Sequence, residues 1–266
     1  MAIFISIKAN IFLHLSNQLY KGNFFTILIK NEGFICFSTK QSIMSKTVTY
    51  SSVAKKIIMS LAGLFLTSFL VVHLGINLLI LFDKSLELFN QAAHFMATNP
   101  LIQLFQYVLF FGFILHIILG VVLQIQNWAA RPVRYQKKGS SEQSYFSKFM
   151  IHTGAIVLIF LIIHFANFFV KAKFGHIDPI TYDSGTYENL GHLVVELFKD
   201  GAYVIFYVIA ILLLGFHLDH GFQSAFQSLG LTHSRYTPII KGFGTVFSIL
   251  ITLGFIAIPL VIYFSS

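Results

Sequence analysis

The sequence predicts an all-α integral membrane protein with five transmembrane helices. Of the 266 residues, 56% are hydrophobic and only 11% are charged, whereas soluble domains carry about 25% charged residues. Five apolar runs are each long enough to cross a bilayer, which takes about 20 residues of helix. In the fourth, the uncharged part ends at 218 and the amphipathic stretch DHGFQSAFQSLG continues the helix. The predicted spans are 57–82, 101–130, 149–170, 201–230 and 242–264.

The formal net charge of +8 comes from basic residues that cluster beside the apolar runs and do not follow one exposed face. This distribution of charge does not indicate that the protein binds nucleic acid. Basic residues precede the first span, separate the second from the third and precede the fifth, while the other loops carry most of the acids. Because loops rich in Lys and Arg face the cytoplasm, we expect the N-terminus inside and the C-terminus outside.

The first 43 residues differ in composition from the rest of the chain. They are rich in Ile, Lys, Asn and Phe, contain the single acid Glu32, and have apolar runs too short to span a membrane. We expect 1–43 to be a doubtful extension, with translation beginning at Met44, and 44–266 to be one membrane domain. An intact upstream peptide in the native protein, found by mass spectrometry, would contradict this expectation.

Four histidines lie well inside apolar spans, one on each of the first four predicted helices: His73, His116, His164 and His217. An imidazole in hydrocarbon needs a hydrogen-bond partner, a charge partner or a metal. One such residue alone is readily explained by a bond to a neighbouring helix. Four together, with hardly any carboxylate inside the spans, favour metal ligation.

The depths of the four histidines divide them into two pairs. His73 and His164 lie past the midpoints of spans that run outward, so both lie toward the outer face. His217 lies near the inner end of its span; His116 is close to its midpoint and joins His217 partly by elimination. In an up-and-down four-helix bundle, helices one and three lie diagonally, as do two and four, so each pair can grip one flat object.

Two haems, each held by two histidines, fit this pattern. A zinc ion would instead require four ligands at one depth. The chain has one cysteine, Cys36, and no C-x-x-C-H motif, so any haem is held by coordination alone. We therefore predict two non-covalent b haems in the bundle of the first four helices.

Two glycines add to this pattern, since Gly63 precedes His73 by ten residues and Gly154 precedes His164 by ten. Ten residues of helix place each glycine about 15 Å farther inward, near the level of the inner haem. A missing side chain would let the macrocycle lie against the helix. Close packing between helices explains the same glycines equally well.

Haem propionates at the inner rim need basic or hydroxyl partners. By topology the candidates are Ser60, Arg131, Arg134 and Lys148, although each is equally explained as an ordinary anchor at the membrane surface. His220, three residues after His217, is either a rival for the fourth ligand or an interfacial donor, for example to a propionate.

The four histidines lie in stretches that together resemble a known family: SLAGLFLTSFLVVH, HIILGVVLQIQNWAARPVRY, HTGAIVLIFLIIH and FHLDHGFQSAFQSLG. Over about 50–264, the chain resembles the cytochrome b subunit of succinate dehydrogenase or fumarate reductase, of the single-chain, five-helix, two-haem type. The resemblance implies the same two ligand pairs. It also selects His217 over His220, because the family's fourth ligand precedes a helix-closing glycine by thirteen residues, here Gly230. One branch of the family has an acid where this chain has Gly215, which puts its proton route in doubt.

The resemblance implies a membrane anchor that passes electrons between cytoplasmic subunits and a membrane quinone, by resemblance menaquinone, in the bacterial cytoplasmic membrane. The partners would be a flavoprotein that interconverts succinate and fumarate and an iron-sulfur protein. The chain itself has no Gly-rich dinucleotide fingerprint and no cysteine cluster, so dicarboxylate chemistry is not expected on it.

Two other functions remain open. A cytochrome b subunit of a hydrogenase or formate dehydrogenase also anchors a soluble enzyme through membrane haems. A haem-free transporter could line a path with histidines, although the sequence has no pair of Gly/Pro-broken helices in matching halves.

Overall fold

The computed structural model describes residues 25–30, 33–38, 52–129 and 149–265. The chain divides into two units, Met1–Thr49 and Tyr50–Ser266. In the first unit, β1 (Phe25–Lys30) pairs antiparallel with β2 (Gly33–Ser38). Both strands are rich in β-branched and aromatic residues, which favour extended backbone. The proposed start at Met44 lies outside the described residues.

The second unit is built mainly of helices. Its long helices are α1 (Ser52–Phe82), α3 (Pro100–Ala129), α4 (Met150–His164), α7 (Gly201–Ser228) and α8 (Thr237–Ser265). A π-helix (Phe165–Phe169) continues α4 into α5 (Val170–Phe174). The shorter elements are α2 (Glu87–Thr98), β3 (Pro179–Tyr182), β4 (Gly185–Glu188) and α6 (Leu190–Phe198).

Five helical segments of the described chain are long and apolar enough to cross a membrane, which confirms the predicted number of spans. They are α1, α3, α7, α8 and the continuous segment Met150–Phe174. Some helices extend beyond the predicted apolar runs, since α1 begins before Lys55 and α5 includes Lys171 and Lys173. Lysines can end a span in this way because their apolar stems follow the helix while the ammonium groups reach water.

Four of these segments pack in the order expected for an up-and-down bundle. α1 packs against both α3 and α7, α4 packs against α7, and α3 meets α4 at only a few residues. Thus α1 lies diagonally from α4, and α3 lies diagonally from α7. α8 packs on the outer side of the bundle against α1 and α7.

A small polar cap closes one end of the unit, on the side predicted to face outward. It is formed by α2, the antiparallel hairpin of β3 and β4, and α6. The fully buried Asn90 donates to the Tyr182 hydroxyl at 3.0 Å and to Asn189 Oδ1 at 3.3 Å. Its own Oδ1 accepts from the Gly191 backbone N–H at 2.8 Å. One amide therefore joins the two outer connections of the chain.

At its C-terminal end, away from the polar cap, α7 is terminated by Gly230, whose φ of +77° is in the left-handed region. The Leu231 N–H donates to the Phe226 carbonyl at 3.0 Å, as in a Schellman C-cap. Gly230 therefore ends the helix that carries His217.

Candidate functional site

The structure brings together His73 of α1 and His164, the last residue of α4. Their ring centroids lie 5.7 Å apart, and the ring planes are at 89°. Phe69 stacks on His73 at 5.2 Å, and Phe160 stacks on His164 at 5.7 Å. The pair thus spans one diagonal of the bundle within an aromatic enclosure.

The other diagonal is spanned by His116 of α3 and His217 of α7. Their ring centroids are 6.2 Å apart and the planes are at 75°. His116 meets His217 and not His220. The structure therefore pairs the same residues that were paired from sequence depth, while their role as ligands stays a prediction.

The two glycines connect the outer pair to the inner pair. A Cβ atom added at Gly63 would lie 3.6 Å from His116 Cε1, and one added at Gly154 would lie 3.4 Å from His217 Cε1. Each glycine precedes an outer histidine by ten residues, so the two pairs are separated by about 15 Å along the helices. The glycines keep α1 and α4 free of side chains beside the inner imidazoles.

A threonine hydroxyl lies beside one ring nitrogen of the inner pair. Thr153 Oγ1 donates to the Met150 carbonyl at 3.0 Å and lies 3.4 Å from His217 Nδ1. Because the threonine hydrogen is already used, its oxygen can accept from a protonated Nδ1. A neutral imidazole protonated at Nδ1 has a free lone pair at Nε2, which is the nitrogen available for a metal.

Of the four imidazoles, that of His116 has the poorest hydrogen bonding. Its Nδ1 atom is buried and makes no hydrogen bond of ordinary geometry within the described chain, although the Met59 backbone carbonyl lies beside the ring. A buried polar atom without a partner costs about 1–3 kcal/mol. Nδ1 is the nitrogen that would point away from a metal bound at Nε2, and the Met59 carbonyl is the group beside the ring that could accept its hydrogen.

His73 fits ligation less simply than the others. The Asn77 amide nitrogen donates to the His73 carbonyl at 2.8 Å and lies 3.4 Å from its Nδ1. With this donor beside it, Nδ1 acts as the acceptor and the ring proton sits on Nε2. Ligation through Nε2 therefore requires the Asn77 side chain to turn its oxygen toward the ring.

In both pairs the two imidazoles are close enough that they could bind one metal ion between them. Two metal-nitrogen bonds of about 2.0 Å, with about 1.2 Å from each nitrogen to its ring centre, would place the two centroids about 6.4 Å apart. The inner pair at 6.2 Å is close to this value, and the outer pair at 5.7 Å is shorter. The same separation is common for two packed aromatic rings, so only the repetition of the pairing on both diagonals favours a bound group. No group of three or more His, Cys, Asp or Glu side chains able to hold a metal occurs in the described part of the chain.

Most of the side chains predicted to bind haem propionates are not among the residues that the structure describes. Arg131, Arg134 and Lys148 lie outside the described residues. Ser60 is buried, and its hydroxyl donates to the Lys56 carbonyl at 2.8 Å, the ordinary bond of a helical serine to the preceding turn. Binding of a propionate at Ser60 would have to replace that bond.

Sequence reasoning missed the side chains that touch the ring nitrogens: Asn77, Thr153 and Tyr207. One signal was present in the sequence, since Asn77 follows His73 by four residues and so shares its helix face. Thr153 and Tyr207 are on other helices than the rings they touch, so their contacts depend on tertiary packing.

Neither a family model nor a curated protein nor a solved structure matches the chain. The fold and the site therefore define a multi-pass helical membrane protein with two facing histidine pairs.

Proposed function

We propose that this chain is the membrane-anchor cytochrome b subunit of a succinate:quinone oxidoreductase and that it holds two non-covalent b haems. The observation that carries the proposal is the presence of two facing imidazole pairs, on the two diagonals of one bundle, at two levels. A single pair could be a packing contact. The repetition has the form expected of an electron path across a membrane.

The four histidines would act as axial ligands: His73 and His164 at the outer haem, and His116 and His217 at the inner haem. Bound there, haem supplies reversible one-electron transfer. Ligation of both axial positions by the chain leaves no open position on the iron, which suits electron transfer better than oxygen chemistry. Phe69 and Phe160 stack on the two outer rings, and Gly63 and Gly154 put no side chain beside the inner rings.

The proposed partners are a flavoprotein and an iron-sulfur protein on the cytoplasmic side. The support for that side is the excess of basic residues in the loops predicted to face inward. The outer pair would then be nearer the site where the membrane quinone, by resemblance menaquinone, is reduced or oxidised. The proposal includes a location in the bacterial cytoplasmic membrane, by resemblance, with the N-terminus inside.

The test is a haem-to-protein ratio and a redox titration of the purified chain in detergent. We expect two low-spin b haems with different potentials. His73→Ala or His164→Ala should remove one haem, and His116→Ala or His217→Ala should remove the other. His176→Ala, at an exposed position outside the spans, is the matched control and should keep both.

Three results would overturn the proposal or part of it. A wild-type protein without haem absorbance would favour the transporter. A His217→Ala variant that keeps both haems would move the fourth ligand to His220. Membranes in which hydrogen or formate, but not succinate, reduces the haems would identify a different soluble partner.

A further inference from the structure

A chain of polar side chains leads from the π-helix to the ring of His164. Asn167 Nδ2 donates to the Tyr203 hydroxyl at 3.1 Å, and Tyr203 donates to the Tyr207 hydroxyl at 2.9 Å. The Tyr207 oxygen lies 3.4 Å from His164 Nδ1, at the long end of hydrogen-bond distances. Three side chains from two helices thus form a hydrogen-bonded chain that ends at one imidazole nitrogen.

Tyr207 is held firmly in this position. It is 4% exposed, and its ring centroid lies 5.0 Å from that of Phe160, 5.1 Å from Phe198 and 5.8 Å from Phe206. A hydroxyl surrounded by apolar rings needs polar partners. In the described chain, the hydrogen bonds of this hydroxyl are to Tyr203 and His164.

The direction of the last bond follows from proton counting. A neutral imidazole has one N–H and one lone pair. If the Tyr207 hydroxyl donated to Nδ1, the ring proton would sit on Nε2 and block ligation there. Ligation at Nε2 therefore requires the polar chain to run the other way: Nδ1–H donates to the Tyr207 oxygen, Tyr207 donates to Tyr203, and Tyr203 donates to the side-chain oxygen of Asn167 once that amide turns over. In this arrangement every hydroxyl hydrogen of the chain keeps an acceptor.

We propose that Tyr207 is a positioning residue for His164, whose Nδ1–H donates to the Tyr207 oxygen so that Nε2 is free to bind metal. This inference rests on the proposed role of His164 as a haem ligand. Hydrogen bonding from the outer nitrogen of a metal-bound histidine fixes its tautomer and raises its basicity. Tyr207 therefore tunes the outer site, as Thr153 does for His217 at the inner site.

The local backbone supports the assignment. His164 is the last residue of α4, and the π-helix Phe165–Phe169 follows immediately. A π-turn inserts one residue into the helix and changes the face that later side chains present, and such turns are frequent at functional sites. Here the turn contains Asn167, the first member of the polar chain.

The experiment is a potentiometric titration of the full-length, haem-loaded protein carrying Tyr207→Phe. We expect the haem that His73→Ala removes to become easier to reduce, because the imidazole loses basicity. The Fe(III)/Fe(II) equilibrium constant should change threefold to tenfold, where tenfold is about 59 mV for one electron. The other haem should keep its potential.

Two further variants complete the test. Tyr107→Phe makes the same change at a tyrosine of α3 that is 71% exposed, and should shift neither haem. Tyr203→Phe leaves Tyr207 in place but removes the acceptor of its hydroxyl hydrogen, which makes the Tyr207 oxygen a weaker acceptor, so the same haem should shift the same way by less than threefold.

The outcomes separate this inference from the proposed function. A wild-type chain without haem overturns both. Two haems in the wild type, with unchanged potentials in Tyr207→Phe, overturn the positioning role and leave the function standing. If Tyr207→Phe loses the haem itself, Tyr203→Phe decides, and an unchanged potential there overturns the inference.

Discussion

Gly154 of α4 lies directly against the imidazole of His217 in α7, with 3.4 Å between a Cβ built on the glycine and His217 Cε1. This distance is ordinary van der Waals contact, so an alanine fits. A longer side chain would fill the space beside the ring. Substitutions at Gly154 therefore test whether a bound group lies beside this ring or the glycine only allows the helices to pack.

We expect Gly154→Leu to reduce occupancy of the haem that His217→Ala removes by at least tenfold, while Gly154→Ala retains it. The leucine side chain would occupy the volume next to the imidazole that a macrocycle needs. Gly75→Leu, at an exposed glycine of α1 with open space around it, is the control. The measurement is haem content per chain, and full occupancy in Gly154→Leu would mean that this glycine serves helix packing alone.

Gly215 is needed for the contact between α7 and α8. A Cβ atom there would clash with Thr252 Oγ1, which itself donates to the Ser248 carbonyl at 2.7 Å. We expect Gly215→Ala to destabilise the protein by about 1–3 kcal/mol, because crowding in a packed interface is costly. Thermal unfolding in detergent measures the effect.

The control for this prediction is Gly221→Ala on the same helix, where an added Cβ meets nothing within 4 Å. It should unfold at the wild-type temperature. Equal stability of the Gly215 and Gly221 variants would show that Thr252 moves aside freely.

The five spans could be predicted because each is an uninterrupted apolar run, and a bilayer sets a minimum length that such runs either meet or miss. The pairing of His73 with His164 could be predicted because alternating helix direction converts position in sequence into depth. Both inferences use only one-dimensional information. Neither inference requires knowledge of which helix faces are in contact.

The contacts of the ring nitrogens could not be predicted in the same way. Whether Tyr207 touches His164 depends on the rotation of α7 relative to α4 and on the π-turn that follows His164. The polar cap was also missed, because Asn90 and Gly191 lie in connections of mixed composition and meet only in the folded chain. Short segments of this kind lack a periodic signal strong enough to identify.

Asn90 holds the cap together, and its replacement should loosen the cap without unfolding the spans. Asn90→Ala leaves the buried Gly191 N–H without its acceptor, which costs about 1–3 kcal/mol. We expect faster amide hydrogen exchange in 179–198 and little change in α7. Gln103→Ala, which removes two exposed bonds to the end of α2, is the comparison. Unchanged exchange in the Asn90 variant would show that water replaces the amide at little cost.

The cap also contains a pH-sensitive contact between His94 of α2 and Glu188 of β4. Their side chains meet at 3.0 Å between Nδ1 and Oε2. The hydrogen bond from His94 holds the pKa of Glu188 below its ordinary value of 4.5. A carboxyl group whose pKa is depressed by folding stabilises the folded state above its unfolded pKa, and this contribution is lost as the pH falls through the folded pKa.

We therefore expect the hairpin of β3 and β4 to lose protection from proteolysis as the pH is lowered from 6 through about 4 and below. The contribution should be under about 1 kcal/mol, because the Glu188 side chain is half exposed and solvent screens the contact. Glu188→Gln should have lower protection at pH 6 and almost no further change on acidification. Asp178→Asn, at an exposed carboxylate beside His176, should behave as the wild type. An equal acid-dependent loss in Glu188→Gln would assign the effect to another group of the cap, since the amide cannot titrate.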